Sequence, residues 1–334
     1  MGTVLIYGRG EKAEKLVQLI DDLGEYYQDK IIAFSDKDAK TDDTYYGYKV
    51  VESGSINEIN YDYVIIASTT YEKEIRIYLT EQLQVPEEKL KSFNEYYRQL
   101  HINYQKDRFQ KAEGSEKQYN KKRIAVYTAI QHKYDNLITP KVIDDDVSYI
   151  CYTDNPSLKS DIWEIRPFED DDEWAHRKVK LLPHRYLSEF DYSFWVDANY
   201  EIVGSIRDYL EKYDNGRGML FFPHPERHCL YDEATIVILL RKAEKAATAR
   251  EIGHYADMGM PVNYGLLYGG IIARQHNKPE IVDAMELWWE LFRQYSHRDQ
   301  VSLPYVLWKT GLSVDVCSEF IYGNEWFRKF EHLG

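Results

Sequence analysis

The sequence predicts an α/β protein in two parts. A small Rossmann-like parallel-sheet domain is expected at residues 1–97 and a larger α/β sandwich at residues 123–334, joined by a polar linker at 98–122. Three observations predict this. Short apolar runs alternate with amphipathic segments through both parts, the pattern of strands covered by helices. The alternation stops in "RQLHINYQKDRFQKAEGSEKQYNKK", a polar, charge-mixed and weakly periodic connector that reads as partly helical, with a break at Gly114-Ser115. The 334 residues suffice for two cores of ordinary size.

In the first part "TVLIYG" reads as a strand and "EKAEKLVQLIDDLG" as an amphipathic helix. "KIIAFSD", the short "YKVV" and "YDYVIIAS" read as further strands. "PEEKLKSF" reads as the start of a helix, because Pro86 suits a first helical turn. In the second part "RIAVYTAI", "VSYICYTD", "YSFWVDAN", "GMLFFPH" and "YGLLYGGIIARQ" read as strands. "HRKVKLLPHRYL" is helical, and one long helix is expected through "YDEATIVILLRKAEKAATAREIGHYADMG". "KPEIVDAMELWWELFRQYS" and "QVSLPYVLWKTG" complete the helices. Trp288 and Trp289 are adjacent on one of them and cannot share a face, so at least one belongs to the core.

Composition narrows the function. The chain is 44% hydrophobic and 29% charged, which is globular rather than disordered. A net charge of −14 speaks against nucleic acid as a partner. An acidic protein that holds a phosphorylated ligand needs a metal ion or a few placed basic residues. Thirty tyrosines offer apolar faces with polar tips, suited to sugars as well as to packing. Cys151, Cys229 and Cys317 are odd in number and form no C-x-x-C, so neither a disulfide framework nor a zinc site is expected. No run of 18 or more apolar residues occurs, and "MGTVLIYGRG" lacks a secretory signal. The expected location is the cytoplasm, with peripheral association at the inner membrane face as the closest approach to a bilayer. A homo-oligomer is compatible with this reading.

Two short motifs carry chemistry. Gly8-Arg9-Gly10-Glu11-Lys12-Ala13 has the G-x-G-x-x-A spacing between a strand and a helix, where helix N–H groups can meet a phosphate. Gly8, Gly10 and Asp36, which ends the second strand, read as a candidate site for a nucleotide, nucleotide-sugar or acyl-CoA. Glu11 would repel a phosphate there, and the glycines also serve close strand–helix packing. The second motif is Asp197-Ala198-Asn199 after an apolar strand. Side chains two apart on an extended segment point the same way, so Asp197 and Asn199 can grip one divalent metal, as a D-x-D turn does.

The second part resembles a glycosyltransferase-like domain family of bacteria and plants, long described as a domain of unknown function. The likeness rests on "RIAVYTAIQHKYDNL", "YICYTDNP", "HRKVKLLPHRYLSEFDYSFWVDANYEI", "FPHPERHCLYDEA", "YGGIIARQHN" and "SHRDQVSLPYVLWK", in that order over residues 122–332. It is also similar to the glycogenin and galactosyltransferase-like retaining group. The first part resembles the N-terminal domain of sugar O-acyltransferases. These resemblances imply a GT-A fold and transfer of a sugar from a nucleoside-diphosphate donor, a UDP-sugar being favoured, to a hydroxyl of a glycan or lipid-linked acceptor. Bacterial surface polysaccharide synthesis is the implied setting, retention of configuration is slightly favoured, and Mn2+ or Mg2+ is the implied cofactor. Asn199 departs from the D-x-D of the retaining group, which weakens the metal expectation.

The resemblance also implies roles. Thr128, Ala129, Tyr134 and Asp154 would bind the nucleoside, with Asp135 nearby. Arg177 and Lys180 would face the diphosphate, or else balance the acidic "EDDDEW". Asp197, Asn199 and His332 would hold the metal, with His297 a second choice for the third ligand. His224, Glu226 and Arg227 would form a loop over sugar or acceptor, with Glu226 catalytic and Gln300 also at the acceptor. Gly269 and Gly270 would let a sugar ring approach the backbone. Asp299 would take a proton from the acceptor or support oxocarbenium-like charge, unless it is only a helix cap. A lipid or glycan hydrolase and a non-catalytic sugar-nucleotide-binding module are the alternatives, although no G-x-S-x-G or H-E-x-x-H is present.

Overall fold

The computed structural model describes residues 2–40, 43–115, 122–169 and 171–332. Residues 116–121 of the expected linker lie outside the described residues. The chain divides into two compact units, Met1–Tyr104 and Gln105–Gly334. Among the described residues no helix is long and apolar enough to cross a membrane.

The first unit contains β1 (Thr3–Tyr7), α1 (Glu11–Leu23), β2 (Lys30–Ser35), β3 (Thr44–Tyr45), β4 (Tyr48–Lys49), β5 (Tyr63–Ile66), α2 (Glu72–Ile77) and β6 (Leu90–Ser92). Its main sheet has the order β2-β1-β5-β6 and is wholly parallel. Val4, Ile6 and Ile65 face Ala13, Leu16, Val17 and Ile20 of α1, whereas Leu5, Val64 and Ile66 pack on the opposite face with Leu79. Burial on both faces explains why these strands read as unbroken apolar runs.

One local expectation is corrected here. "PEEKLKSF" forms a 3-10 turn at Glu87–Lys89 and then β6, not a helix. The helix starts at Phe93, where the Ser92 hydroxyl accepts the Glu95 N–H at 3.1 Å. That helix, α3 (Phe93–Phe109), runs through the first half of the expected linker. Its last turns carry two anchors four residues apart: Gln105, whose side-chain oxygen accepts the Leu266 N–H at 2.9 Å, and Phe109, edge-on to Tyr264 in the second unit's core.

The second unit contains β7 (Ile124–Ile130), β8 (Val147–Thr153), β9 (Glu164–Pro167), α4 (Ala175–Leu181), α5 (Pro183–Tyr186), β10 (Tyr192–Val196), β11 (Tyr200–Ile202) and α6 (Ile206–Tyr213). It continues with β12 (Met219–Pro223), α7 (Leu230–Leu239), α8 (Lys245–Asp257), β13 (Leu267–Arg274), α9 (Pro279–Gln294), α10 (Asp299–Thr310), β14 (Asp315–Val316) and β15 (Phe327–Lys329). The sheet order is β14-β12-β13-β10-β7-β8-β9. Only β13 runs against its neighbours. From β7 the order leaves one way through β8 and β9 and the other way to β10. Such a switch opens a crevice beyond the carboxyl ends of the strands, the usual ligand position in open α/β sheets. Tyr127, Trp195 and Ile272 face a layer that includes Val179, Trp288, Phe292 and Leu303 from α4, α9 and α10. Val126, Phe194 and Ile271 face Ile206, Tyr209 and Leu210 of α6. This is the α/β architecture expected: a small parallel unit followed by a larger sandwich.

The single long helix expected after "HPERHC" is two helices, α7 and α8. Arg241 takes a left-handed φ of 55°, and the Glu244 carboxylate accepts the N–H groups of Ala246 and Ala247, which restarts the helix. Further along α8, Glu251 is buried. Burial pushes its carboxyl up to about 7, although Tyr255 Oη and the Ser296 N–H both donate to it. A carboxyl raised by folding favours the fold while protonated; that contribution is full below the ordinary value of 4.5 and is lost as the pH rises through about 7. Glu251→Gln is therefore expected to exceed the wild type in stability near pH 8 by up to about 3 kcal/mol and to match it near pH 4, as read by urea unfolding at both values.

Candidate active site

At the carboxyl edge of the large sheet, four charged side chains meet. Arg177 and Lys180, three apart on α4, share a face. Lys180 Nζ lies 2.6 Å from Asp299 Oδ2 and 3.5 Å from Asp197 Oδ1. Arg177 Nη1 donates to the same Asp299 oxygen at 2.9 Å. Lys180 is 2% exposed, its stem enclosed and its ammonium 5.4 Å from the Trp195 ring centre. Trp195 also donates its indole N–H to Asp197 Oδ1 at 2.7 Å, fixing the carboxylate just beyond β10. The Asp197 N–H is bound to Gly270 O of β13. On the other side, Trp288 Nε1 donates to the Asp299 carbonyl at 3.0 Å and so ties the start of α10 to α9. Trp288 is thus the core member of the tryptophan pair, and its polar tip positions a charged residue.

Asp299 is buried, which by itself would raise its proton affinity. Arg177, Lys180 and the neighbouring Arg298 outweigh that effect and hold the carboxyl well below the usual carboxylate range. Burial would lower the Arg177 affinity, yet Asp299 and Asp197 raise it. Arg298 brings a third cation, and its buried Nε has no hydrogen-bond partner among the described residues. Three cations thus surround two carboxylates, in a chain whose net charge is −14.

The glycines and the glutamine divide by what they touch. A Cβ on Gly269 would lie 3.5 Å from Gln300 Oε1, 3.8 Å from Lys180 Nζ and 4.0 Å from Asp299 Oδ2, so Gly269 borders the cluster directly. A Cβ on Gly270 would stand 2.5 Å from the Tyr268 ring, so the missing side chain makes room for that tyrosine. Gln300 is bound to β13 by both ends of its amide, accepting the Gly269 N–H at 3.0 Å and donating to Leu267 O. Both ends of its amide thus hold β13 against α10.

A second group lies at the rim. β15 pairs with β11 and carries the chain end past Asn199. Asn199 is buried, and its Nδ2 donates to Phe330 O at 2.9 Å and faces His332 Nε2 at 3.3 Å. His332 Nδ1 is 2.9 Å from Asp135 Oδ2, so the neutral tautomer that satisfies both contacts carries its proton on Nδ1. The His332 ring lies 5.1 Å from that of Tyr134. Because Phe330 O fixes the amide orientation, Asn199 Oδ1 is left buried with no hydrogen-bond partner. Asp197 Oδ2 also has no such partner among the described residues, and its side chain is 28% exposed. The two uncommitted oxygens are of the type that suits a divalent cation, whereas both His332 nitrogens are engaged, Nδ1 by Asp135 and Nε2 by the Asn199 amide. Among the described residues no group of three or more His, Cys, Asp or Glu is placed to hold a metal, so any such site depends on the Asn199 amide.

Of the nucleoside positions, Thr128 is buried at the end of β7 with its hydroxyl unpartnered, and Ala129 is half-buried beside it. Tyr134 is exposed. Asp154 accepts the His132 N–H at 2.8 Å and holds the loop after β7, where His132 and Lys133 take left-handed φ angles. One of its oxygens is therefore engaged by the protein itself. His176, adjacent to Arg177, is held to about 4 by burial and by the Arg177 charge, so it is neutral at pH 7; its Nδ1 pairs with Gln131 Oε1.

The "HPERHC" loop is tied elsewhere. His224 Nδ1 accepts the N–H groups of Glu226 and Arg227, and Arg227 Nε donates to Glu233 of α7 at 2.6 Å. Glu226, expected to be catalytic, is 67% exposed on its side chain and pairs with Arg227 rather than with the charged cluster. His297 packs edge-on against Trp174, with ring centres 4.7 Å apart, away from Asn199's contacts. In the first unit, Gly8 has φ 117° and its N–H donates to Ser35 O, as a tight strand–helix turn requires. Arg9 within that turn grips Asp36 with two nitrogens, at 2.5 and 3.2 Å. Asp36 is thus committed to the turn, and Gly10 caps α1 without a side-chain partner. The sequence reading missed Trp195, Gln131, Tyr268 and the Trp288 bond to Asp299. Only the tryptophans' place beside D-x-N and on an amphipathic helix pointed that way.

Comparison with known proteins gives two family matches. Residues 162–332 match the TOD1/MUCI70, glycosyltransferase-like domain, and residues 1–91 match the C2185-like N-terminal domain. No curated protein is similar enough to count as a relative. Among solved structures, the chain is similar to the apo structure of the bifunctional glycosyltransferase WbbM, with 10% identity and a TM-score of 0.37. That likeness covers 63% of this chain and 40% of the other, so the chain spans less than half of that protein's length.

Proposed function

Because the chain belongs to the TOD1/MUCI70 glycosyltransferase-like domain family, we propose that it moves a sugar from a nucleoside-diphosphate donor to a hydroxyl acceptor. The observation that carries this reading is the excess of positive charge about Asp299 at the switch point of the sheet. A diphosphate arriving there would take the place of the Asp299 carboxylate on Arg177 and Lys180. As the bond to the sugar breaks, those cations would stabilise the negative charge that builds on the departing diphosphate. One such group is typically worth about 10²–10³-fold in rate.

Asp299 has two readings, proton acceptor or electrostatic support. A carboxylate held well below its usual range is a poor base at neutral pH. The geometry therefore favours electrostatic support: Asp299 keeps the two cations in place without donor and faces the oxocarbenium-like sugar with it. Trp195 and Trp288 act behind the charged groups by fixing the orientation of Asp197 and the start of α10. A divalent cation held by Asp197 and Asn199, and by His332 once its Nε2 leaves the Asn199 amide, would neutralise further charge on the diphosphate. A UDP-sugar is the favoured donor, a glycan or lipid-linked hydroxyl the acceptor, and bacterial surface polysaccharide the setting.

Thermal stabilisation by UDP, GDP, CDP and dTDP, each with and without Mn2+, tests the reading together with slow hydrolysis of the matching nucleotide sugars. One nucleoside diphosphate is expected to stabilise the protein, more so with Mn2+. Asp197→Ala should remove the Mn2+-dependent part and slow donor hydrolysis by about 10²-fold. Stabilisation without any turnover would indicate a binding module instead, and indifference to all four nucleotides would end the proposal.

A further inference from the structure

A cavity of about 440 Å3 opens beside the rim group, lined by Asn199, Tyr322, Lys329, Phe330, Glu331 and His332. We propose that it is the subsite for the pyranose ring of the acceptor; the inference rests on the transferase reading above. Its volume lies within the ~300–1,000 Å3 common for small-molecule sites. The loop expected over sugar or acceptor, His224 to Arg227, is braced on Glu233 through Arg227 and does not line this cavity.

The lining suits a sugar. Tyr322 and Phe330 are 43% and 44% exposed, and large aromatic faces left open beside a reaction centre match the C–H face of a pyranose. Lys329 Nζ sits 5.5 Å from the Tyr322 ring and 5.8 Å from each of the Tyr200 and Tyr268 rings, and it lies 3.5 Å from Tyr268 Oη. No carboxylate pairs with Lys329 among the described residues, so its N–H groups are available to hydroxyls. The Glu331 carboxylate offers acceptors on the same wall.

Continuity with the charged cluster sets the role. Asn199 and His332 belong to both the cavity and the rim. Tyr268, bonded to Tyr200 Oη at 2.8 Å, has its ring over Gly270, whose carbonyl receives the Asp197 N–H. An acceptor seated in the cavity thus lies beside the end of the donor that carries the sugar. In the transfer, the acceptor oxygen forms the bond to the anomeric carbon. The bond from that carbon to the diphosphate oxygen breaks, its electron pair leaves on the diphosphate, and the hydroxyl proton passes to that departing group.

Saturation-transfer NMR with methyl α- and β-pyranosides of glucose, galactose, mannose and N-acetylglucosamine tests this directly, on wild type, Tyr322→Ala and Phe330→Ala. At least one pyranoside is expected to receive saturation at its ring C–H protons, and each variant should weaken its Kd by about tenfold. The same variants should still be stabilised by the nucleoside diphosphate, which also shows that they fold. Binding of no pyranoside, or equal binding to all three proteins, overturns the subsite while leaving the donor reading intact. Loss of nucleotide stabilisation in the wild type would overturn the donor reading instead.

Discussion

Lys180→Met is expected to unfold about 3–5 kcal/mol more easily than the wild type and to hydrolyse its nucleotide sugar about 10²–10³-fold more slowly. Lys180 is buried between two carboxylates, 2.6 Å from Asp299 and 3.5 Å from Asp197. Methionine keeps most of the stem volume and the contact with Trp195, so the substitution removes charge and little packing. Asp299 would then keep Arg177 as its direct partner, and Asp197 would lose its nearest cation. Both remain near a low-dielectric core, where an uncompensated charge is costly. Lys180→Arg supplies the control. It restores the charge, but its planar fork fits poorly where a compact ammonium bridges two oxygens, so intermediate values are expected for both stability and rate. Urea unfolding and donor hydrolysis on the three proteins decide the matter. Wild-type stability in Lys180→Met would mean that the buried pair does not hold this edge of the sheet together.

Local chemistry was legible in the sequence, and long-range contact was not. Asp197 could be placed beyond a strand because an apolar run ends on a polar D-x-N, and Arg177 and Lys180 shared a face by spacing alone. The alternation of strands and helices told of two α/β units. The partners of Gln300, the Gly269 N–H and Leu267 O, were not legible because they lie some thirty residues away on another element. Asp36 looked free to meet a ribose because its pairing with Arg9 crosses from one strand end to the next. The break between α7 and α8 depends on a left-handed Arg241, a conformation that arginine does not advertise. His332 reached Asn199 only through the short pairing of β11 with β15, three residues on each side and too brief for a periodicity signal. His224 and Glu226 formed a dense polar cluster whose internal bonds consumed most of its chemistry. A motif's residue types can thus be read directly, but whether their polar atoms are still uncommitted is a property of the folded chain.

Asp299→Asn is expected to move stability and nucleotide affinity in opposite directions. The wild-type carboxylate takes hydrogen bonds from Arg177 at 2.9 Å and pairs with Lys180 at 2.6 Å, in the place a diphosphate would occupy. Asparagine removes the counter-charge from two cations and leaves the fold about 3–5 kcal/mol less stable. It also removes the anion that competes with the diphosphate, so UDP or whichever nucleoside diphosphate binds should do so about tenfold more tightly. Donor hydrolysis should nevertheless fall by about 10²-fold, because the carboxylate no longer faces the positive charge on the sugar. The pH dependence gives an independent sign. Folding depresses the Asp299 carboxyl, so its contribution is present above the ordinary value of 3.8 and is lost as the pH falls through the folded value. The wild type should therefore lose stability between about pH 4 and pH 2 more steeply than Asp299→Asn, whose acid limb should be flatter in urea unfolding. Tighter nucleotide binding together with slower turnover separates an electrostatic carboxylate from a helix cap, which would alter stability alone. Unchanged nucleotide affinity in Asp299→Asn would mean that the diphosphate does not use these cations, and the donor would have to be placed elsewhere on the sheet.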